Sequence, residues 1–259
     1  MKILMRHFLP YGVVRYSQVW SELSRLGIPR SAACRLALAQ SVPTRISRSH
    51  LDLLPSNALK GIQGVIDVGA NVGEWTADLL SICTPAQVLC IEPDPKLAAG
   101  LRLRFQERTD VLIEEAAIGD VSRVAELRVM HSSVLNSFRL PSDSMAALFP
   151  EPFRVEGAVR VKLRTLDSIA PVDLRISLLK IDVQGFEREV LVGAEETLKR
   201  TDVVILEVNL QPHYEGEAGF FELDSIMQRN GFCIGNYSEP KGGRRQALFA
   251  DVIYVRKDS

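Results

Sequence analysis

Along most of the chain, short apolar runs alternate with longer segments in which apolar residues recur at helical spacing. Four runs rich in valine, isoleucine and leucine are 65–68, 88–91, 176–181 and 203–206. The segments between them are long enough for helices, and this alternation predicts a parallel sheet with right-handed crossovers. Ligands bind such sheets at the carboxyl ends of the strands, so the residues there are the first candidates for function.

The alternation is interrupted over about residues 121–165. There, 125–131 and 158–164 alternate between apolar and polar positions, which predicts two strands of a β insertion. The second of these strands places three basic residues on one face: Arg160, Lys162 and Arg164. A polar stretch that contains proline joins the strands, and we expect it to overhang the ligand site.

The two ends of the chain differ from this core. Residues 1–60 keep helical spacing without a strand pattern, which predicts an N-terminal helical appendage and places the main domain at 61–259. At the other end, a helix is expected over 220–230. It precedes 232–237 and 249–255, which predict an antiparallel pair.

The strongest local signal is the stretch Gly64 to Glu74, which reads GVIDVGANVGE. A buried strand leads into Gly69 and Gly73, and a helix pattern follows, with these apolar residues on one face: Trp75, Leu79 and Ile82. Glycine tolerates positive φ and lets a ligand approach the backbone closely. We expect the turn to point free amide groups of the helix N-terminus at the bound molecule.

The residues around this turn restrict the ligand. A dinucleotide pattern G-x-G-x-x-G starting at Gly69 would need glycines at Asn71 and Glu74, and no Gly-Lys-Ser/Thr phosphate loop is present. The negative charge of Asp67 would repel a pyrophosphate, whereas it suits an ammonium group such as that of S-adenosylmethionine (AdoMet). Glu92 follows the second strand about 25 residues later, where an acid commonly accepts hydrogen bonds from two ribose hydroxyls.

Two further strand ends carry reactive groups. Asp182 ends the third of the four runs, within Lys180 to Gly185, and Glu207 ends the fourth. His213 lies in the loop after Glu207, and its unperturbed pKa near neutrality makes it the best candidate for a general base. We expect Glu207 to share that task or to hold His213, unless it only accepts hydrogen bonds from loop amides.

A metal site is not predicted. Asp182, Glu207 and His213 have the chemistry of magnesium ligands, but nothing in their spacing requires a cation. His131, which stands beside two serines, is a weaker candidate for the base.

Several motifs resemble one known family. Val65 to Gly73 resembles the AdoMet motif of class I methyltransferases, and Lys180 to Gly185 resembles the Lys-Ile-Asp-Val-Glu-Gly signature of FkbM-type methyltransferases. Pro212, Tyr214 and the pair 231–232 also follow that family's pattern, and the resemblance covers roughly residues 62–256. This sequence departs from the signature at position 184, where glutamine stands in place of the usual glutamate.

The resemblance implies a fold and an activity. The fold would be α/β, with a doubly wound, Rossmann-like and mostly parallel sheet of seven strands whose last strand is antiparallel. The activity would be methyl transfer from AdoMet to a hydroxyl of a sugar, a glycoconjugate or a polyketide-type natural product.

The resemblance also implies roles for single residues. The methionine end of AdoMet would be held by residues of the first motif: Asp67, Gly69, Ala70, Asn71 and Gly73. Glu92 would hold the ribose, and Ala117 would offer backbone contacts to the adenine. Asp182 would lie at the floor of the site and orient AdoMet or the acceptor hydroxyl.

Composition narrows the class of protein. The chain has 259 residues, is 46% hydrophobic and carries a net charge of −1, which suits a globular α/β domain with an appendage. The four cysteines are widely spaced, no apolar run is as long as a membrane span, and no signal cleavage site is visible. We therefore expect a cytoplasmic protein with reduced thiols.

The first 50 residues are strongly basic, with eight lysine and arginine residues against one glutamate. Such a segment can contact the anionic inner face of a membrane or an acidic substrate. The simpler alternative is a solvated helical face.

Three functions are open on the sequence alone. The chain could methylate a sugar hydroxyl, it could methylate the nitrogen of an amino sugar or small amine, or it could be a non-catalytic partner protein that binds AdoMet. An amine needs less help from a base than a hydroxyl does, so His213 separates the first two. Nucleic-acid methylation is not expected, because the net charge is slightly negative and no aromatic and basic surface pattern is present. No motif identifies the acceptor or the oligomeric state.

Overall fold

The computed structural model describes residues 49–55, 58–243 and 246–257, which lie in one compact unit. Its strands, in chain order, are β1 Gly64–Val68, β2 Gln87–Ile91, β3 Val111–Glu114, β4 Ala117–Ile118, β5 Arg123–Met130, β6 Val155–Arg164, β7 Ile176–Ile181, β8 Thr201–Asn209, β9 Phe232–Tyr237, β10 Lys241–Gly243 and β11 Gln246–Arg256. Its α-helices are α1 Ser49–Asp52, α2 Glu74–Leu80, α3 Pro95–Arg104, α4 Asp143–Leu148, α5 Glu187–Val192, α6 Glu195–Lys199 and α7 Phe220–Arg229.

The main sheet has the order β10–β11–β8–β7–β1–β2–β3, and β9 also pairs with β11. The five strands from β8 to β3 are parallel, whereas β11 runs antiparallel to β8 and to β9. The predicted doubly wound, mostly parallel sheet is therefore confirmed. It has eight strands where seven were expected, because Lys241–Gly243 folds back on β11 as a short hairpin strand.

Side chains of the central strands alternate between two apolar layers, since both faces of the sheet are covered. On one face, Val65 of β1 packs in the same cluster as Trp75 of α2 and Leu101 of α3. On the other face, Ile66 shares a cluster with Leu191 of α5 and with α7. All six residues of β7 are buried, as expected for a central parallel strand.

The helix after the glycine turn is shorter than its pattern suggests. Trp75 and Leu79 are fully buried, but α2 ends at Leu80 and the side chain of Ile82 is 53% exposed. The expectation that Ile82 shares the buried face is wrong, because the helical geometry does not reach it.

The insertion forms a second, three-stranded sheet in the order β4–β6–β5. The two strands predicted for the insertion are present as β5 and β6, which pair antiparallel, and their buried face packs on Phe186 through Leu127, Val161 and Leu163. The division into an appendage over 1–60 and a domain over 61–259 stays a prediction. Residues 1–48, with most of the basic segment, lie outside the described residues.

Two smaller observations concern membranes and thiols. Within the described ranges, no helix combines the length and the apolar character needed to cross a membrane. The thiols of Cys83, Cys90 and Cys233 are free.

Candidate functional site

The glycine turn between β1 and α2 is closed by its own hydrogen bonds. Each amide from residue 69 to residue 73 donates to a nearby acceptor. In chain order, the acceptors are the carbonyl of Ile91 for the first two amides, then Glu92 Oε2, Asn71 Oδ1 and the carbonyl of Ala70. The amides of the turn itself are therefore used within the fold, whereas those of the first helical residues, Glu74 to Thr76, are not among these donors. That the helix N-terminus points free amides at the ligand stays a prediction.

Gly69 brings the end of β7 against this turn. Its φ is +79°, and a Cβ at this position would lie 2.0 Å from the carbonyl oxygen of Asp182. The amide of Asp182 donates to the carbonyl of Val68 at 3.1 Å. Only glycine permits this approach, which places Asp182 beside the turn.

Glu92 flanks the same turn from the other side, because β2 is the other neighbour of β1. It is 4% exposed, with Oε2 accepting the Asn71 amide at 2.8 Å and Oε1 accepting the Asp94 amide at 2.9 Å. Burial raises the pKa of Glu92 to about 7, although the two backbone hydrogen bonds oppose the shift. Each carboxylate oxygen keeps a further lone pair for a ligand hydroxyl.

Asp67 lies beneath this site and does not face it. Its side chain is fully buried, Oδ2 accepts the Thr76 hydroxyl at 2.7 Å, and Oδ1 is 3.4 Å from Lys180 Nζ. Lys180 Nζ is also 3.3 Å from Oδ2 of Asp182, whose side chain is 27% exposed. Asp182 is thus the accessible acid of the chain Asp67–Lys180–Asp182, and a direct contact of Asp67 with the ammonium group does not fit this geometry.

Lys180 is the functional neighbour that our sequence argument missed. Burial alone would lower its pKa, but the charges and hydrogen bonds of Asp182 and Asp67 outweigh burial and raise the pKa. The lysine therefore stays charged and fixes both acids. A charged residue inside an otherwise apolar run was the available signal, because such residues are seldom buried without a partner.

Gln184 connects two acids of the site. It has a φ of +56°, and its Nε2 donates to Asp182 Oδ1 at 2.8 Å and to Glu207 Oε1 at 3.2 Å. Its Oε1 accepts the Tyr214 hydroxyl at 2.9 Å. A carboxylate could not donate to either acid, so glutamine at this position changes the hydrogen bonding of the whole cluster.

The signature turn that contains Gln184 is held from two sides. Glu187 is buried, and its Oε1 accepts the amides of Val183 and Gly185, both at 3.2 Å. Burial raises the pKa of Glu187 to about 7. From the insertion, Ser137 donates its hydroxyl to the Gln184 carbonyl at 2.6 Å, so the predicted overhanging segment does contact the site.

His213 is enclosed by aromatic rings. The imidazole is 7% exposed, and its centroid lies 6.5 Å from that of Phe153 and 5.9 Å from that of Phe249. Its buried Nε2 makes no hydrogen bond with the described residues. Burial lowers the pKa of His213 to about 4, so the ring is neutral at neutral pH.

Glu207 neither orients His213 nor acts as a base beside it. Its Oε1 is bound by Gln184, and burial, followed by the charges of Asp182, Asp251 and Glu187, raises the pKa of Glu207 well above its ordinary range. A carboxyl group that keeps its proton is a poor base. The structure therefore corrects the expectation that Glu207 holds His213 or shares its task.

The remaining candidates separate from this cluster. No group of three or more His, Cys, Asp or Glu within the described part of the chain is arranged to hold a metal ion, so Asp182, Glu207 and His213 do not form one. His131 lies in an exposed group, with Nδ1 2.6 Å from Glu156 Oε1. Ala117 is buried in β4 and packs in the cluster of Phe186, and its contact with adenine stays a prediction.

Two acids flank a tight glycine turn at the carboxyl edge of a Rossmann-like sheet. Carboxylates placed at this turn fit a ligand that carries a cationic sulfonium and an ammonium group, as well as ribose hydroxyls. The fold and the site are typical of AdoMet-dependent methyltransferases.

Comparison with known proteins gives the family. The model of the Methyltransferase FkbM domain matches residues 67–234, which is more than half of the chain. The chain belongs to this family of methyltransferases.

Two individual relatives each share less than a third of the aligned residues with this chain. The 2-O-methyltransferase NoeI of Sinorhizobium fredii is 29% identical over 163 residues, a match that covers 59% of this chain and 66% of NoeI. The AMB antimetabolite synthetase AmbE of Pseudomonas aeruginosa is 28% identical over 213 residues, which cover 70% of this chain and 10% of AmbE. The chain thus spans less than two thirds of these two curated relatives.

A solved structure is also similar. Methyltransferase FkbM from Methylobacillus flagellatus KT superposes with a TM-score of 0.49 at 15% identity, over 90% of this chain and 58% of that one.

Glu92→Gln is expected to weaken AdoMet binding by about 1–3 kcal/mol, because an amide accepts fewer hydrogen bonds from the ribose hydroxyls than a carboxylate does. In the unaltered protein, affinity should also fall as the pH drops through about 7, where Glu92 takes up a proton. In the variant this pH dependence should weaken. Calorimetric titration from pH 6 to 8 measures both effects.

The matched control is Glu115→Gln, since that side chain is exposed in an ion pair with Arg102. It should bind AdoMet like the unaltered protein. Equal affinity in the two variants would exclude Glu92 from the ribose site.

Proposed function

We propose that this methyltransferase transfers the methyl group of AdoMet to a hydroxyl of a sugar, within a glycoconjugate or a related natural product. The similarity to NoeI, which is described as a 2-O-methyltransferase, supports an oxygen acceptor. A small-molecule or glycan acceptor also agrees with the net charge of −1, which does not favour nucleic acid.

The chain would contribute position and a dry environment. Bound AdoMet supplies a methyl group on a good leaving group, so orientation of the acceptor is the main task. Glu92 would hold the ribose and Asp182 would face the positively charged end of the ligand. Lys180 and Gln184 fix the side chain of Asp182 through contacts of 3.3 and 2.8 Å, which limits its movement.

The observation that carries the proposal is the buried, neutral imidazole of His213. A hydroxyl must lose a proton when it is methylated, and a positioned base helps. No described residue bonds to the buried His213 Nε2, so this nitrogen would be the one to accept the proton from a hydroxyl that reaches it. Its backbone is fixed as well, because its amide donates to Glu217 Oε1 at 2.6 Å and its carbonyl accepts the Ser142 amide at 2.8 Å.

His213→Phe tests this role with little change in packing, because phenylalanine keeps the ring contacts with Phe153 and Phe249. We expect turnover to fall about 10²–10⁴-fold, the usual contribution of a general base, while AdoMet affinity is unchanged. Transfer of label from AdoMet to a panel of sugars, nucleotide sugars and extracted glycolipids gives the rate.

His131→Phe is the control, since that histidine is exposed on the insertion, and its turnover should be unaltered. Full turnover in His213→Phe would contradict the proposal and would favour an amine acceptor, which needs less help from a base.

A further inference from the structure

A groove of about 550 Å³ lies along the edge of the insertion, on residues that the proposed chemistry does not use. Its lining includes three arginines, one acid and two aromatic rings: Arg123, Arg139, Arg160, Glu126, Phe138 and Phe186. These side chains come from β5, from β6, from the overhanging segment and from the residue after the signature turn. The fold therefore assembles the groove from four separate stretches of sequence.

The charges of the groove are not balanced. Arg139 is neutralised, because Nη2 lies 2.8 Å from Oε1 of Glu189, which Arg188 also contacts. The side chains of Arg123 and Arg160 make no hydrogen bond or ion pair with the described residues, and Glu126 lies opposite Arg160 in the β5–β6 register. Two unpaired cations against one acid favour a ligand with a negative charge.

The groove also has an apolar side. The rings of Phe138 and Phe186 lie 4.9 Å apart, tilted by 44°, and Phe138 is only half-buried. An apolar aromatic surface next to polar groups is the usual composition of a small-molecule site. It can cover the carbon-bound face of a sugar ring while the arginines reach its charged substituent.

The groove shares a wall with the signature turn. Phe186 directly follows Gly185, and Arg139 Nε donates to the carbonyl of Gly185 at 2.7 Å. Ser137 holds the preceding carbonyl, that of Gln184. A group bound in the groove would therefore be rigidly placed relative to the turn that carries Asp182.

We propose that this groove is a second subsite for the acceptor and that it takes a sugar ring with an anionic substituent, either a phosphate or a carboxylate. This inference rests on the proposed function, in that the bound ring belongs to the molecule that is methylated. Arg123 and Arg160, which reach the groove from opposite faces of the β5–β6 pair, bind the anion from its two sides, and Phe138 covers the ring.

Binding of simple probes to the full chain tests the subsite without any need for turnover. Glucose 1-phosphate and glucuronate should each bind at least about tenfold more tightly than glucose, since charge-assisted hydrogen bonds are the stronger ones. The tighter of the two identifies the anion. The double variant Arg123→Gln/Arg160→Gln should lose this preference, whereas AdoMet affinity stays unchanged.

Lys162→Gln is the matched control, because Lys162 is an exposed cation on the same face of β6 but does not line the groove. It should retain the preference for anionic sugars. Phe138→Leu should weaken glucose 1-phosphate binding but leave the binding of inorganic phosphate unaltered.

Three results would overturn the subsite. They are equal binding of glucose and the anionic sugars, an equal loss in Lys162→Gln and the double variant, or inorganic phosphate binding as tightly as glucose 1-phosphate. Failure of the proposed O-methylation would appear separately, as absent turnover in a protein whose probe binding is intact.

Discussion

Lys180→Met is expected to lower the free energy of unfolding by about 3–5 kcal/mol at neutral pH, the usual cost of removing one partner from a buried ion pair. The side chains of Lys180 and Asp67 are 3% and 0% exposed, so water cannot replace the lost ammonium group. The methionine fills most of the volume, and the effect is therefore electrostatic. Urea unfolding followed by the fluorescence of Trp75, whose ring centroid is 6.0 Å from Lys180 Nζ, measures it.

The loss should depend on pH in a defined direction. Without Lys180, a buried ionised carboxylate would be left without a counter-ion, and this penalty is relieved at low pH, where protons are available to neutralise it. The deficit of the variant should therefore be small near pH 4 and should grow towards pH 8.

A second substitution separates charge from packing. Asp67→Asn combined with Lys180→Met removes both charges, and it should recover part of the lost stability because no buried charge is left unpaired. Lys162→Met on the exposed face of β6 should change stability by less than about 0.5 kcal/mol. A deficit that is the same at pH 4 and pH 8 would contradict the role of Lys180 as the counter-ion of Asp67.

Gly69→Ala should both destabilise the fold and abolish AdoMet binding. The left-handed backbone, at φ +79°, costs an alanine about 1–2 kcal/mol, and the clash with the Asp182 carbonyl adds about 1–3 kcal/mol of overpacking. Relief of the clash would push β7 away from β1 and so separate Asp182 from the turn. Unfolding and AdoMet titration are measured on the same variant.

Gly61→Ala provides the matched control for backbone strain. Gly61 has a φ of +64°, but nothing lies within 4 Å of the Cβ that alanine would add. It should cost only about 1–2 kcal/mol and leave AdoMet affinity intact. Equal effects of the two substitutions would mean that strain alone, and not the close approach of β7, makes glycine necessary at position 69.

The regular elements were predictable because their signals are local. The run 176–181 is β7 to the residue, and 232–237 is β9, since buried strands and their alternation depend on neighbours in sequence. The glycine spacing also marked the turn after β1. The short strands β4 and β10 and the early end of α2 departed from the pattern, and β8 continues past Glu207 to Asn209, as boundaries often differ.

For the site, the sequence determined which residues stand at the strand ends, and the sheet order then placed Glu92 and Asp182 on either side of one turn. It did not determine what their side chains contact. The partner of Asp67 is a lysine more than a hundred residues away. The side-chain amide of Gln184 donates a hydrogen bond to Glu207, and the amides of the turn donate to acceptors inside the protein.

The same limit applies to His213 and to the arginine groove. Whether a histidine is exposed or enclosed by Phe153 and Phe249 depends on segments, distant in sequence, that meet only in the folded chain. Local propensity fixes helices and strands, whereas burial, hydrogen-bond partners and the pKa of an acid or base arise from groups that tertiary packing brings together.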